Sequence, residues 1–266
     1  MTSEASLDLA AIERRMGAVR SVRQVLQSVW GLARAELPVV EDAAQAALVY
    51  ATWAEEAARR VFVEESSTAT TPLRVLIGPE RAFAGSLPRR YEQELAAEGA
   101  LGIVGRRLWE AVVDRPDVER RVRFHLSGIS SPRETESCAA GVAAAILEHA
   151  PREGALLLHA GAKADLAQST LLTERRRARD ELPDMLSPLE TISDALLREL
   201  LTARLANALA ITLRAEVRAR LTMVEAARTA CDRRLEELTK VWRAARQDQI
   251  TAEMMEIVAA RLAFDA

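Results

Sequence analysis

Residues 197–221 read LRELLTARLANALAITLRAEVRARL. Within them Leu197, Leu201, Leu205, Leu209, Leu213, Val217 and Leu221 recur every fourth residue. A four-residue step overshoots a helical turn, so this apolar row winds around the helix axis and one flat partner cannot cover it. The stretch sits inside a longer run, Leu189–Ala266, that contains neither Gly nor Pro. Ser187-Pro188 supplies the entry, since Pro is tolerated in a first turn. An unbroken helix over that run is on the order of 100 Å long, far beyond an ordinary globular helix. Asn207 and Arg233-Arg234 are its weakest points, but no breaker demands an interruption. Further on, Cys231, Leu235, Leu238, Trp242 and Ala245 keep a heptad rhythm, and Ile250, Met254, Ile257, Val258 and Leu262 follow after a phase shift.

The other end of the chain supplies a partner. From Ser6 to Glu64 the sequence reads as helix, with Leu9, Ile12, Met16, Val19, Arg23, Leu26, Trp30, Ala33 and Leu37 in a 3-4-3-4 rhythm. Only Arg23 breaks the apolar character of that seam, which asks for a second helix alongside. Pro38 should kink or interrupt the helix, with a second helical stretch from Val40 to Val63. Two long helices with matching seams, one at each end, most simply wrap each other as an antiparallel coiled coil.

Between them the character changes. Leu73–Ile77, Ala100–Val104, Val122–His125 and Ala155–His159 look like strands, and Leu171–Arg179 is a candidate fifth. Pro88–Glu98, Arg107–Asp114 and Arg133–Ala150 look like intervening helices. This alternation predicts a small, mostly parallel sheet with helices on both faces. The fold class is therefore α/β, a long antiparallel coiled coil of the terminal helices with an inserted α/β domain. The expected divisions are 1–66, 67–186 and 187–266.

Composition excludes several alternatives. Net charge is −3 and the pI about 5.8, which gives no hint of a nucleic-acid partner. No stretch approaches the apolar length of a membrane span, and the N-terminus lacks a secretory core. Cys138 and Cys231 form no spaced set and are expected to pack as small hydrophobes. His125, His149 and His159 have no carboxylate or thiol at metal-ligand spacing. Gly102-x-x-Gly105 is not the dinucleotide fingerprint, and no phosphate-loop motif exists. Ser127-Gly128 and Ser130-Ser131 lack nucleophile-elbow spacing. No catalytic residue, metal or cofactor is expected.

The C-terminal residues carry a resemblance. Ala215-Glu216-Val217-Arg218-Ala219-Arg220-Leu221 is similar to a Ser-Glu-x-x-x-Arg-Met element. Arg246-Gln247-Asp248-Gln249-Ile250-Thr251-Ala252-Glu253-Met254-Met255-Glu256-Ile257-Val258 matches Arg-Gln-x-x-Ile-Thr-x-Glu-x-x-Glu-Ile-Val. At this spacing the pair resembles the C-terminal signature of F-type ATP synthase gamma subunits. In the first helix Ile12, Arg15, Met16 and Val19 match. Gln24-Val25-Leu26-Gln27-Ser28-Val29 stands where the family has Lys-Ile-Thr-Lys-Ala-Met, with both lysines lost. Residues 75–85, VLIGPERAFAG, are similar to the family's Ser-Asp-Arg-Gly-Leu-Cys-Gly-Gly segment, and residues 103–107, IVGRR, to its Val-Gly-Lys-Lys turn. The middle is divergent, as in a distant branch such as the N-type rotary ATPases.

The resemblance implies a central rotor shaft with a Rossmann-like domain, without an active site of its own. Its implied partners are the alpha and beta subunits of the catalytic ring, the epsilon subunit and the membrane rotor ring, the c-ring. Its implied place is peripheral, at the cytoplasmic inner face of the plasma membrane, with protons or sodium as the coupling ion. Glu216 and Arg220, an i,i+4 pair, read either as an exposed pair or as a contact with the moving part of beta, near Val29. Arg246, Gln247, Thr251 and Glu253 are implied contacts with ring loops near the upper end of the shaft. Arg14, Arg15, Arg20 and Arg23 make the first helix basic, either as a solvated face or facing an acidic lever on beta. The alternatives are a non-rotary coiled-coil adaptor with an inserted α/β domain, and an enzyme using that domain.

Overall fold

The structure is a computed structural model, and it describes residues 2–62, 72–150, 155–161, 166–171 and 189–264. Helix α1 spans Thr2–Val61 and helix α6 spans Leu189–Phe264. The chain forms two compact units. The first contains residues 1–32 and 222–266, and the second contains residues 33–221.

In the first unit the seam of α1 is where the sequence puts it. Leu9 and Met16 are buried, and Ile12, Val19, Arg23, Leu26 and Trp30 are half-buried among largely exposed neighbours. The partner is α6, running the opposite way. Trp242 Nε1 donates to Glu13 at 3.0 Å, Arg23 pairs with Asp232, and the Arg228 guanidinium lies 5.1 Å over the Trp30 ring. As α1 numbers rise, their partners' numbers fall. Arg23, the one charged residue in the seam, is accommodated because Asp232 faces it.

In the second unit the same antiparallel order continues, with Glu41 paired to Arg218 at 2.5 Å and Glu55 to Arg204 at 2.9 Å. Ala51, Ala54, Ala58 and Val61 cluster with Leu200 and Ala203, small side chains that let two backbones approach. The expected interruption at Pro38 does not occur, and α1 runs through it. Proline removes one helical hydrogen bond, but Ala33 and Val40, on either side, are both buried in one apolar cluster with Leu205, Leu209 and Leu213. Packing on each side of the proline outweighs the local loss.

The inserted sheet has strands β1 (Leu73–Ile77), β2 (Leu101–Val104), β3 (Val122–Leu126), β4 (Ala155–Ala160) and β5 (Leu166–Leu171), in the order β3-β2-β1-β4-β5. Neighbours are parallel except β4 and β5, which are antiparallel. The fifth strand therefore precedes the expected Leu171–Arg179, whose residues 172–179 lie outside the described residues. So do the expected domain limits at 66/67 and 186/187. Between the strands lie a 3-10 turn at Pro88–Tyr91, α2 (Glu92–Ala96), α3 (Arg106–Val113), α4 (Pro116–Glu119), a second 3-10 turn at Pro132–Glu134, and α5 (Thr135–His149).

Strand side chains alternate between two cores. Leu73, Val75 and Ile77 of β1 and Leu157 of β4 face α5 and the winding row Leu201, Leu205, Leu209, Leu213 and Val217. Leu76 and Leu158 face Tyr91, Leu95, Leu108, Val112 and Val118. Burial on both faces explains why β1 is apolar at every position but Arg74, whose charge is paired with Glu94. The four-residue row of α6 also has its reason, because this segment packs against both the sheet and α1.

Candidate functional site: a buried carboxylate network

The network is built on the loop Gly78–Gly85, which leaves β1 at its carboxyl end. Gly78 N–H donates to Val104 O at 2.8 Å, holding the loop beside the end of β2. Gly105 has φ +113°, and a Cβ there would stand 2.5 Å from Gly78 O. Only glycine lets the start of α3 come this close.

Glu80 then fills the space between three chain segments. Its Oε2 accepts N–H bonds from Arg106, the first residue of α3, and from Gly128, in the loop after β3, each at 2.8 Å. A carboxylate at a helix N-terminus satisfies an otherwise unbonded amide and meets the positive end of the helix dipole. In dinucleotide-binding folds such a helix start receives a pyrophosphate. Here the chain's own carboxylate sits there.

The backbone of the same loop reaches α6. The Glu80 and Arg81 N–H groups donate to Glu216 at 2.9 and 3.3 Å. Glu216 is 1% exposed and Arg220 6%, and the two are paired at 2.5 Å. Arg220 lies 3.7 Å from Glu36 and donates to Ala82 O at 3.4 Å. Arg81 bonds Glu36 at 3.0 and 3.2 Å and also reaches Ser130 O. Three carboxylates and two guanidiniums thus tie α1, α6, the β1 loop and the β3 loop together. Burial pushes the Glu216 carboxyl up from its ordinary value, opposed by the Glu80 N–H and by the charges of Arg220 and Arg81.

Of the two readings of the Glu216–Arg220 pair, the exposed one does not hold. Both side chains point into the molecule because α6 is covered here by the loop and by α1. Glu80, Arg81 and Glu36 carry the network with them but were given no role by sequence reasoning. The available signal was a charged pair two residues after a buried strand, beyond Gly78-Pro79.

The other sequence-selected residues lie on the surface of the first unit. Arg15, Arg246, Gln247, Thr251 and Glu253 are exposed and Val29 is half-buried. Arg246 donates to Gln249 at 3.0 Å, Gln249 to Glu253 at 2.8 Å, and Thr251 Oγ1 to Gln247 O at 3.0 Å. These bonds run along the helix, so the ladder orders its own side chains. Arg14 and Arg20 are exposed as well. Every described side chain from Ile250 to Leu262 is exposed, including Met254, Met255, Ile257 and Val258.

The histidines and cysteines remain apart. His125 stacks on Trp109 at 4.4 Å and His149 on Phe124 at 5.8 Å. His159 is buried, with Nδ1 2.9 Å from Ala160 O, and burial lowers its pKa. Cys138 and Cys231 are half-buried free thiols, and burial pushes Cys138 up to about 11. Among the described residues no group of three His, Cys, Asp or Glu is placed to hold a metal ion, and no helix is long and apolar enough to cross a membrane.

A family model described as ATP synthase matches residues 8–264. The chain belongs to the ATP synthase gamma-subunit family. As a gamma-family protein it is a central rotor shaft and a peripheral part of a rotary ATP synthase. A chain in the cryo-EM structure of the Euglena gracilis mitochondrial ATP synthase, described as OSCP/F1/c-ring in rotational state 3, shares the fold with TM-score 0.68 and 16% identity. The match covers 97% of this gamma-family chain and 95% of the other. A rotor chain of the same synthase in rotational state 1 gives TM-score 0.63 and 16% identity over 92% and 99%. Curated protein sequences give no match.

Proposed function

We propose that this shaft carries torque between a membrane rotor ring and a catalytic ring of alpha and beta subunits, with nucleotide chemistry left to beta. The observation that carries this reading is the antiparallel pairing of the two chain ends, seen in both units. Paired helices resist bending and twisting because each seam residue is held by the opposite helix. The similar structures, an OSCP/F1/c-ring assembly and a rotor, support the same pair of partners.

In this reading Arg15, Val29, Arg246, Gln247, Thr251 and Glu253 meet the ring. Arg246 suits a carboxylate, which its planar fork binds bidentately. The exposed apolar tip from Ile250 to Leu262 is the surface that turns within the ring. Glu216 and Arg220 act from inside the chain, by fixing the loop that lies on them. The epsilon subunit docks on the Rossmann-like domain, no cofactor is bound, and the assembly lies at the cytoplasmic face of the plasma membrane.

Co-expression with the cognate alpha and beta subunits tests the proposal. A stoichiometric complex containing one copy of this chain is expected. Recovery of this chain alone, with the ring assembling without it, would overturn the reading.

A further inference from the structure

Glu80 is a point where the shaft helix and the sheet, which also share an apolar core, are joined by directed hydrogen bonds. Its backbone N–H is bonded to Glu216 of α6. Its carboxylate holds the first amide of α3 and the amide of Gly128. These two bonds lie at the carboxyl ends of β2 and β3, the strands on one side of β1. On the other side Ala84 and Leu87 pack with Ala160, at the end of β4, and with Ala215 of α6. That second connection is apolar contact between small surfaces, which resists sliding less than directed hydrogen bonds do. By directed hydrogen bonds the β2–β3 side of the sheet end is connected to α6 through two adjacent residues: Arg81, whose N–H bonds Glu216 and whose guanidinium reaches Ser130 O, and Glu80, which alone holds both the start of α3 and Gly128.

We infer that Glu80 is a positioning residue for energy coupling: it keeps the β2–β3 edge of the Rossmann-like domain in fixed register with α6 when torque passes between them. The inference rests on the shaft reading above. What matters is reach. One Oε2 atom accepts both amides, so a side chain one methylene shorter cannot span the loop to both. An amide oxygen at the same reach still can, because a carbonyl oxygen has two lone pairs. Geometry and charge can therefore be separated by substitution.

The experiment uses the complete membrane-bound complex and measures ATP hydrolysis and ATP-driven ion uptake into vesicles, with both proton and sodium probes. Glu80→Asp keeps the charge and loses the reach. It is expected to lower ions moved per ATP hydrolysed by about threefold or more, with hydrolysis within about twofold of the unsubstituted complex. Glu80→Gln keeps the reach and loses the charge, and its ratio is expected to stay within about twofold. An unchanged ratio in Glu80→Asp overturns the inference. So does a proportional fall in both activities, or loss of the assembled complex. A ratio that falls equally in Glu80→Gln also overturns it, because the charge would then be the cause. Failure of the shaft reading itself gives a different result: the unsubstituted complex would hydrolyse ATP and move ions without this chain.

Discussion

Two stretches of α6 carry the family resemblance, and the structure puts them to opposite uses. Ala215–Leu221 is buried or half-buried except at Arg218, with Glu216 and Arg220 turned inward onto the loop after β1. Arg246–Val258 is almost wholly exposed, and its polar groups bond one another along the helix. In sequence both read as charged residues on a helix, and neither i,i+4 spacing nor composition distinguishes them. The difference is made by what lies opposite. The first stretch faces a sheet domain of the same chain, whereas the second presents its side chains to solvent in the isolated chain. Charges in the first secure the molecule itself, and those in the second are the ones proposed to meet other subunits.

If this comparison is right, the two stretches respond very differently to substitution. Glu216→Ala should have the largest effect. It leaves Arg220 buried with only the more distant Glu36 and strands two loop amides, costing ~3–5 kcal/mol, seen as a fall in urea midpoint. A cost within the range of a surface pair would mean that the network is looser than its distances indicate. Leu205→Ala, at a fully buried position of the winding row, should cost ~2–5 kcal/mol by the same assay.

A smaller effect should come from His159. Its folded pKa lies below 6.5, so below that pH the unfolded chain binds a proton that the folded chain does not. Stability should therefore fall as pH drops from 7 toward 5.5, and His159→Gln should flatten that fall. An unchanged profile would exclude His159 as its source. The smallest stability effect belongs to the exposed ladder. Arg246→Ala and Thr251→Ala should each shift folding by no more than ~0.5 kcal/mol while reducing the yield of complex with alpha and beta. A large stability loss without any assembly defect would reverse the assignment.

Much of this architecture was legible in the chain. The seam from Leu9 to Leu37 was readable because only a facing helix makes a 3-4-3-4 apolar row worthwhile, and every described member of it is at least half-buried. β1, β2 and β4 were readable because strands buried on both faces are apolar at nearly every position, and the edge strand β3 because its half-buried and exposed residues alternate. β5 was misplaced because its residues, LAQSTL, are mixed in polarity, as suits an edge strand. Pro38 misled because its local cost is visible in sequence, while the packing of Ala33 and Val40 against the winding row is not. The site was less legible. Glu80 meets Arg106, Gly128 and Glu216 only through the topology of the sheet, and no local pattern encodes contacts that distant in sequence.

A shaft must turn. With the catalytic ring immobilised and a probe fixed to exposed Arg123 after Arg123→Cys, in a background with Cys138 and Cys231 replaced by Ala, ATP should drive continuous one-way rotation of the probe. ATP hydrolysis at a normal rate with the probe stationary would contradict the account.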